Sequence, residues 1–494
     1  MNNCCDLLVV GGGINGTGIA RDAAGRGLSV VLVEKDDLAA RTSSASSKLI
    51  HGGLRYLERL DFKLVRESIA ERERLLRAAP HIVRPLEFIV PLGPGTRPAW
   101  MIRAGLFIYD HLGGRGMLPG ARPVRVEGSQ LGEGLSDPGV KAYSYWDARV
   151  QDSRLVMLNA TDAAEHGATI LTRTELVEAR RDAGTWAARV RGADGNRTIS
   201  ARALVNAAGP WADELLGRIE GTRRTRKVRL VKGSHIVVPR LYDGDHAFLL
   251  QNPDGRVIFA IPFEQRFTLV GTTDVELSGP IGATAIENEE IEYLLNGLSG
   301  YFARPVSRGD IVWTYSGVRA LVDDGVSDPS KVTRDYVLDL DARDKAPLLN
   351  VFGGKITTYR HLAEQALDSL ARYFPAARPA WTENASLPGG DIPTGDVESY
   401  SRRLAERHIA LPPPLLARFA EAYGTRTERL LDGVQSSADL GEHFGGGLYA
   451  REVDYLVANE WARTAEDVLF RRTKLGLHLS PEAADRLNTY LSAG

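Results

Sequence analysis

The sequence predicts a mixed α/β (α+β) protein with a Rossmann-like nucleotide-binding domain, a domain built on an antiparallel sheet, and a C-terminal helical domain. Three observations predict it: a glycine-rich turn between apolar segments within residues 6–34, short β-branched and aromatic runs within residues 227–274, and helical patterns after residue 387. At roughly 150 residues per domain, a chain of 494 residues has room for two or three domains.

The balance of charges limits the class of partner. Lys and Arg number 61 and Asp and Glu number 63, so the net charge is −2, and the chain lacks the basic field of a nucleic-acid-binding protein. A local basic pocket for an anionic small molecule is compatible with this balance. The two cysteines, Cys4 and Cys5, are neighbours and cannot build a disulfide framework or a metal site, which favours a reducing compartment. We expect no signal peptide and no membrane span, since no apolar run approaches about 20 residues.

The first element in chain order is a βαβ unit. Residues 6–10 (DLLVV) predict a buried strand, residues 11–18 (GGGINGTG) predict a turn that opens a helix over 19–26, and residues 29–34 (SVVLVE) predict a second buried strand. Two buried strands joined through a helix within about 30 residues form the repeating unit of a parallel sheet.

Gly11, Gly13 and Gly16 match the G-x-G-x-x-G pattern of a dinucleotide-binding turn. The first glycine permits the tight turn, the second lets the backbone approach a pyrophosphate, and the third lets helix and strand pack closely. The helix N-terminus supplies unpaired N–H donors for the phosphates. Glu34, at the end of the second strand, can accept hydrogen bonds from a ribose hydroxyl. These residues predict an adenine-dinucleotide site.

Later segments of the chain indicate which of two cofactors, NAD or FAD, the glycine turn binds. Residues 203–209 (ALVNAAG) predict a strand that ends in small residues and returns the chain to the first sheet, beside the cofactor. Residues 227–274 instead predict an antiparallel meander, with a hairpin turn at Asp254-Gly255. A nicotinamide enzyme more often shows a continuous series of βαβ units before its substrate domain, so this interruption favours FAD.

Two predicted helices differ in how their side chains are interpreted. We interpret the Arg and Glu residues of a helix over 62–79 as a solvated face. The apolar segment Ala99–Leu112 carries Trp100 and Phe107 beside Arg103, so one interpretation places it on a membrane surface. The other, which we favour, is a helix packed within the fold.

A polar loop over residues 42–57 (TSSASSKLIHGGLRYL) resembles the signature of FAD-dependent glycerol-3-phosphate dehydrogenases. The likeness continues in the family's order through 232–239 (KGSHIVVP), 271–274 (GTTD), 313–319 (WTYSGVR) and 351–360 (VFGGKITTYR). The match is to the aerobic bacterial members, which pass electrons to quinone. Two departures are that Ala320 stands where members often have proline, and that little sequence follows the last helical pattern. The first puts the placement of the nearby loop in doubt, and the second implies a reduced terminal membrane-binding extension.

The resemblance implies FAD contacts from the glycine turn, the polar loop, the end of the 203–209 strand and a second glycine turn. The set is Gly11, Gly13, Ile14, Asn15, Gly16, Glu34, Thr42, Ser43, Ser47, Lys48, Leu49, His51, Gly52, Gly53, Ala208, Gly209, Gly354, Lys355, Ile356 and Thr357. The second glycine turn opens a helix to about residue 373, whose positive dipole end stabilises anionic reduced flavin. A helix cap at Thr357 is compatible with this role. His51 either faces the flavin or only fills a turn.

A phosphate-binding cluster is expected at the substrate. A phosphomonoester dianion needs several cations in one pocket, and Arg is favoured for bidentate contact. By the resemblance, Arg55, Tyr56, Arg334 and Lys355 hold the phosphate. For any one of these cations, a structural ion pair is the alternative.

Oxidation of a secondary alcohol requires a group that takes the hydroxyl proton while hydride leaves the carbon. His235 is our candidate base because the unperturbed pKa of histidine lies near neutrality; a structural histidine is the alternative. Arg319 is our candidate for stabilising the C2 oxygen as it becomes a carbonyl. Which of the two matters more is open.

The predicted domains interleave along the chain. The FAD-binding domain comprises residues 1–78, 151–226 and 341–386. The substrate domain comprises residues 79–150 and 227–340, with its antiparallel sheet in the second part. The C-terminal helical domain comprises residues 387–494.

These observations together predict an FAD-dependent enzyme that oxidises sn-glycerol 3-phosphate to dihydroxyacetone phosphate and passes the electrons to membrane quinone. The resemblance implies an enzyme that is peripheral on the cytoplasmic side of the inner (plasma) membrane, or cytoplasmic. A homodimer is open, and no nucleic-acid or metal partner is expected. The first alternative is a glycerol-3-phosphate oxidase that reduces oxygen to hydrogen peroxide. The others are an amine or amino-acid oxidase and a flavin-dependent RNA-modifying protein.

Overall fold

The computed structural model describes residues 4–93, 96–114, 116–182, 184–222, 228–279, 281–282, 284–323, 335–342 and 346–493. Its strands are β1 (Cys4–Val10), β2 (Val30–Val33), β3 (Leu49–Ile50), β4 (Val83–Leu92), β5 (Arg122–Arg125), β6 (Lys141–Val150), β7 (Thr169–Leu171), β8 (Glu175–Asp182), β9 (Thr185–Gly192), β10 (Gly195–Asn206), β11 (Val228–Pro239), β12 (Ala247–Gln251), β13 (Val257–Phe263), β14 (Phe267–Gly271), β15 (Val275–Leu277), β16 (Trp313–Val322), β17 (Tyr336–Asp341), β18 (Leu348–Gly353), β19 (His443–Gly445) and β20 (Leu448–Tyr449). Its α-helices are α1 (Ile14–Gly25), α2 (Phe62–Ala78), α3 (Ala99–Leu112), α4 (Asp152–Glu165), α5 (Ala212–Leu216), α6 (Asn288–Ser299), α7 (Tyr359–Leu370), α8 (Val397–Arg407), α9 (Pro413–Tyr423), α10 (Thr427–Leu430), α11 (Ala450–Glu460) and α12 (Pro481–Ala493).

The first sheet contains the predicted βαβ unit. Its main order is β17-β18-β10-β1-β2-β7, and β9 and β8 extend it from β10. β1 runs parallel to both β2 and β10, so residues 203–209 return to this sheet as predicted. Leu7 and Val9 pack on the side of α1, α4 and α7, whereas Leu8 and Val10 pack on the opposite side. Because a parallel strand is covered on both faces, β1 is apolar at consecutive positions.

The second sheet has ten strands in the main order β15-β11-β14-β13-β12-β4-β6-β3, with β16 paired to β11 and β5 to β6. β11, β14, β13 and β12 are successive antiparallel neighbours, which confirms the meander predicted within 227–274. One face of this sheet packs on α2 and α3, and the other packs on α6. The polar loop that follows β2 connects the two sheets, because β2 belongs to the first sheet and β3, which lies within this loop, belongs to the second.

Two strands lie in a different sheet from the one implied by the predicted boundaries. β17 pairs antiparallel with β18 in the first sheet, although residues 227–340 were assigned to the second. β3 pairs with β6 in the second sheet, although residues 1–78 were assigned to the first. Both strands lie near a point where the chain passes from one sheet to the other. There, the strand that is available for pairing decides the sheet, and the hydrophobic pattern of the segment does not.

The charged residues of α2 form the predicted solvated face only in part, since Lys63, Arg66 and Arg77 are exposed but three others are not. Glu71, Arg72 and Glu73 are buried. Glu71 forms an ion pair with Arg360 at 2.7 Å, and Arg72 forms one with Asp147 at 2.8 Å. The prediction was wrong for these buried residues because their ion-pair partners lie on distant segments. No local sequence pattern distinguishes such charges from solvated ones.

The helix α3 is buried on one side and exposed on the other. Ile102, Leu106 and Tyr109 are buried, while Trp100 is 70% exposed and Phe107 is 63% exposed. The interpretation that we favoured, a helix packed within the fold, is therefore wrong for half of its surface. Among the helices of the described ranges, none is long and apolar enough to cross a membrane.

The C-terminal helices α8 to α12 surround a core of their own, as predicted for this region. Buried ion pairs join this domain to the first sheet. Asp37, in the segment after β2, accepts from Arg471 at 2.7 Å and from Arg472 at 2.8 Å. Arg154 on α4 forms a further buried ion pair with Glu460.

Candidate active site

A cavity of about 940 Å³ lies between the two sheets. The predicted site residues that line it are Gly11, Gly13, Ile14, Asn15, Glu34, Thr42, Ser43, Ser47, Leu49, His51, Gly53, Arg55, Tyr56, Ala208, Gly209, Arg319, Gly354, Lys355, Ile356 and Thr357. Four others, Gly16, Lys48, Gly52 and His235, lie behind the lining. Arg334 lies outside the described residues.

The first glycine turn has no room for side chains at two of its three pattern positions. Gly11 has a φ of +117°, and a Cβ on it would lie 2.4 Å from the Ala207 carbonyl oxygen. A Cβ on Gly16 would lie 1.9 Å from the Gly11 carbonyl oxygen. At Gly13 the nearest atom would be Ser43 Oγ at 3.0 Å, a side chain that can move. The N-terminus of α1 thus opens into the cavity next to the end of β10, as a pyrophosphate site requires.

Glu34 joins the glycine turn to the end of β2. The Gly12 N–H donates to its Oε2 at 2.6 Å, and the Asp36 N–H donates to its Oε1 at 2.8 Å. Burial raises the pKa of the Glu34 carboxyl, and the two N–H donors oppose that rise. A carboxylate that accepts two N–H bonds still has lone pairs for ribose hydroxyls. The same side chain therefore orders the turn and offers acceptors to a nucleotide.

A buried ion pair anchors the polar loop behind the cavity. Lys48 Nζ donates to both carboxylate oxygens of Asp152, at 3.0 and 2.9 Å. The Ser46 hydroxyl donates to the same carboxylate at 2.8 Å. Lys48, predicted as a cofactor contact, therefore points away from the cavity, because a buried ammonium group needs a counter-charge. Its effect on the site is to hold the backbone that presents Ser47.

The second glycine turn lies against the first. The residues of the 353–354 turn have φ values of +81° and +98°, and Asn15 Nδ2 donates to the Gly353 carbonyl at 3.2 Å. The Thr357 hydroxyl accepts from the His51 N–H at 3.3 Å. The cap predicted at Thr357 is wrong, since α7 has Thr358 as its N-cap and no side-chain cap bond. Thr357 instead ties this turn to the polar loop.

A cationic wall closes one end of the cavity. Arg55, Tyr56 and Lys355 all line it, and Lys355 Nζ lies 4.0 Å from the centroid of the Tyr56 ring. The loop and the second glycine turn, which lie about 300 residues apart in sequence (55 to 355), thus bring two cations together. Such a wall suits an anionic group on a ligand.

The side chain of Arg319 on β16 extends over Gly233 of the neighbouring strand β11. Its Nη1 donates to Asp274 Oδ1 at 2.5 Å and its Nη2 donates to Thr272 Oγ1 at 3.0 Å. A Cβ on Gly233 would lie 2.3 Å from Arg319 Nη2. The glycine of the KGSH segment therefore leaves the space that the guanidinium group occupies. The GTTD segment supplies the two groups that orient it.

His235 on β11 reaches the cavity only through Ser47. Its Nε2 lies 2.9 Å from Ser47 Oγ, and its ring stacks on Tyr315 with 4.7 Å between centroids. In the described part of the chain its Nδ1 has no hydrogen-bond partner. Burial, and then the positive charges of Arg319 and Lys48, lower its pKa well below 6.5. The ring is therefore neutral at pH 7.

A buried network that no sequence pattern predicted lies behind His51 and Gly52. The Gly52 N–H donates to Tyr109 Oη at 2.8 Å, and that hydroxyl donates to Asp147 at 2.7 Å. Burial lowers the pKa of His51, the Asp147 charge opposes this, and the charges of Lys355 and Arg72 add to it. The one signal in the sequence was Asp147 within the apolar run of β6, where an acid requires a buried partner.

Two family models match the chain. A model described as FAD dependent oxidoreductase matches residues 6–360. The chain belongs to this family. A model described as the C-terminal domain of alpha-glycerophosphate oxidase matches residues 380–492. The predicted family resemblance, fold class and FAD cofactor are confirmed. The two glycine turns fit FAD, because each has positive φ angles and close backbone contacts that exclude side chains.

The chain is also similar to named enzymes over nearly its whole length. It is 54% identical to glycerol-3-phosphate dehydrogenase of Pseudomonas aeruginosa over 99% of this chain and 95% of that protein. It is 52% identical to D-erythritol 1-phosphate dehydrogenase of Brucella abortus (96% and 95%) and 49% identical to aerobic glycerol-3-phosphate dehydrogenase of Escherichia coli (98% and 97%). The structure of glycerol-3-phosphate dehydrogenase from Bacillus halodurans complexed with FAD superimposes with a TM-score of 0.75 at 25% identity, covering 100% of this chain and 94% of that chain.

Proposed function

We propose that this member of the family is a quinone-linked sn-glycerol 3-phosphate dehydrogenase that forms dihydroxyacetone phosphate and quinol. The cationic wall carries the proposal: Arg55 and Lys355 line the same cavity as Arg319. A phosphate dianion held there by two cations leaves the rest of a short ester to extend toward Arg319. The names of the relatives support the same substrate class.

In the proposed mechanism, bound FAD supplies a hydride acceptor, N5 of its ring. Arg319 donates hydrogen bonds to the substrate C2 oxygen and stabilises the charge that grows on it as the proton leaves. Asp274 and Thr272 fix the guanidinium group in the orientation for this contact. The substrate hydroxyl proton moves to Ser47 Oγ as the Ser47 proton moves to His235 Nε2, which is neutral and 2.9 Å away.

His51 is the second candidate for the proton acceptor. It lines the cavity directly, and burial lowers its pKa, so it is also neutral at pH 7. The Ser47–His235 pair is preferred because Nε2 of His235 lies 2.9 Å from Ser47 Oγ, and Ser47 lines the cavity, so a proton can pass from the substrate to the ring. Substitution of each histidine by alanine separates the two candidates.

The exposed side of α3 supports the membrane part of the proposal. Trp100, Phe107 and Leu60, which is 71% exposed, present apolar surface near Arg59 and Arg103. Large apolar side chains flanked by cations are typical of proteins that lie on an anionic lipid surface. The proposed location is peripheral, on the cytoplasmic side of the plasma membrane, where quinone is available.

D-erythritol 1-phosphate is a second candidate substrate. The 52% identity to an enzyme named for it, over 96% of this chain, is nearly equal to the identity to glycerol-3-phosphate dehydrogenase. Both substrates carry a phosphomonoester and a secondary alcohol, so the cationic wall and Arg319 serve either.

An anaerobic absorbance spectrum tests the proposal. The flavin of the purified protein should bleach on addition of sn-glycerol 3-phosphate and should not bleach with glycerol, which lacks the dianion. Bleaching only by D-erythritol 1-phosphate would transfer the proposal to the second substrate. Bleaching by neither phosphate would end it. Subsequent addition of a short-chain quinone should restore the oxidised spectrum without consumption of oxygen.

A further inference from the structure

The backbone on both sides of the His51 Cα atom is held by hydrogen bonds. On one side, the His51 N–H donates to Thr357 Oγ1 at 3.3 Å. On the other, the Gly52 N–H donates to Tyr109 Oη at 2.8 Å and to Asp147 Oδ1 at 3.3 Å. Both peptide units that flank this Cα therefore have fixed partners, and only the side-chain torsions of His51 remain free. The ring of His51 lines the cavity, so its orientation there depends on these bonds.

Tyr109 reaches this backbone from the buried side of α3. Its hydroxyl accepts from Gly52 and donates to Asp147, whose two carboxylate oxygens lie 2.7 and 2.9 Å from Tyr109 Oη. Burial, and then the Asp147 charge, raise the pKa of Tyr109 well above 10, so the hydroxyl keeps its proton at pH 7. A Cβ on Gly52 would lie 2.5 Å from this hydroxyl oxygen. The absence of a side chain at Gly52 therefore lets the hydroxyl approach the peptide.

Asp147 on β6 is restrained in turn by Arg72 on α2. Arg72 Nη1 donates to Asp147 Oδ1 at 2.8 Å, and its Nη2 donates to Glu73 Oε1 at 2.9 Å. Arg72, Tyr109 and Asp147 are all buried. One backbone N–H needs only one acceptor, whereas here three buried polar side chains from three elements converge behind the peptide of Gly52. Burial of such a network has a desolvation cost, which favours a role in the site over a role in packing alone.

We propose that Tyr109 and Asp147 are positioning residues for flavin reduction and that they act through His51. This inference rests on the proposed function. The two residues hold the Gly52 peptide so that the His51 ring keeps one orientation toward the substrate and the flavin. Neither is among the described residues that line the cavity, so they exchange no proton or hydride with the substrate. Loss of the Tyr109 hydroxyl should therefore slow the reaction without weakening substrate binding.

The test is Tyr109→Phe, which removes the hydroxyl and keeps the ring that packs edge-on against Tyr145. The matched control is Tyr242→Phe, on the opposite side of the second sheet, where the buried hydroxyl lies 2.8 and 3.0 Å from the carbonyl oxygens of His246 and Ala260. We expect flavin reduction at saturating sn-glycerol 3-phosphate, in anaerobic stopped-flow, to be about tenfold slower in Tyr109→Phe alone. This loss is below the roughly 100-fold that a displacement of about 1 Å can cause. Flavin content and the substrate concentration that gives half the maximal rate should stay within about twofold of the parent in both variants.

A double-mutant cycle shows whether Tyr109 acts through His51. In a His51→Ala background, Tyr109→Phe should cause no further loss of the reduction rate. A further loss of the same size there, an equal loss in Tyr242→Phe, or a parental rate in Tyr109→Phe would overturn the proposal. If Tyr109→Phe does not retain flavin, Asp147→Asn takes its place in the cycle, since it keeps one acceptor oxygen for the tyrosine and removes the charge. Failure of the parent itself to be bleached by substrate would instead refute the proposed function, so the two failures are distinguishable.

Discussion

The two ends of the cavity are built in different ways. At the end where we expect the nucleotide, the lining includes the first glycine turn and Glu34, both within residues 6–34. The cationic part of the lining consists of side chains from three distant segments, namely Arg55, Arg319 and Lys355. A site made of backbone depends on the absence of side chains, whereas a site made of side chains depends on their charge. The backbone site should lose its ligand when a single methyl group is added to a glycine. The side-chain site should lose affinity stepwise as its charges are removed.

The largest effect is expected for Gly16→Ala at the nucleotide end. The new Cβ would lie 1.9 Å from a backbone oxygen that cannot rotate away, so the turn and the adjoining helix must separate. The variant should lose its flavin and all activity. The control is Gly93→Ala, where no atom lies within 4 Å of the new Cβ. Flavin absorbance per protein should be near zero in the first and near the parent value in the second; equal values would refute the backbone argument.

At the reaction centre, His235→Ala should lower the rate of flavin reduction about 100-fold or more, the usual contribution of a general base. Substrate affinity should change little, because the ring does not line the cavity. Anaerobic stopped-flow across substrate concentrations separates the two quantities. His246→Ala is the control, a buried histidine packed on the opposite face of the same sheet. If His51→Ala, and not His235→Ala, shows the loss, the base is His51.

At the cationic wall, Lys355→Met should raise the KM for sn-glycerol 3-phosphate about 10- to 100-fold, since a lost hydrogen bond to a charged group costs about 1.5–3 kcal/mol. Flavin content should remain near that of the parent, in contrast to Gly16→Ala. Lys63→Met, at a side chain that is 82% exposed, controls for the loss of one charge. An unchanged KM would show that the phosphate is held elsewhere.

The smallest effect is expected from pH. Because the folded pKa of His235 lies well below 6.5, the reduction rate should stay level from about pH 8 to 6.5 and fall only as the neutral ring is protonated below that. Unfolding binds a proton at this residue below its unfolded pKa, so its contribution to stability is full above 6.5 and is lost as the pH falls toward the folded value. A rate that already halves at pH 6.5 would contradict a buried neutral base.

The contrast between the two ends also explains what could be predicted. The glycine turn, β1, β2 and the meander follow from local spacing and hydrophobic pattern, because adjacent residues make them. Lys355, Arg55 and Arg319 are ordinary cations in the sequence, and only the resemblance drew attention to them. Their proximity arises from strand order and loop crossing, which no short segment encodes.

The charged groups whose partners could not be predicted are those that pair with residues far along the chain. Lys48 pairs with Asp152, and Arg72 pairs with Asp147. A lysine or arginine in a polar segment has the same local pattern whether it meets solvent, a ligand or a buried acid. Only the tertiary arrangement distinguishes these three outcomes. The contacts of charged side chains are therefore the part of the site that is hardest to predict from sequence.

Asp37 gives the C-terminal domain a role in the integrity of the nucleotide pocket. Arg471 and Arg472 neutralise this buried acid, which is three positions after Glu34. A shortened protein that stops before them would leave this buried acid with only the more distant Arg173, at 3.9 Å, among the partners that the described residues give it. Truncation at the boundary of that domain should therefore release the coenzyme even though none of its contacts has been cut away.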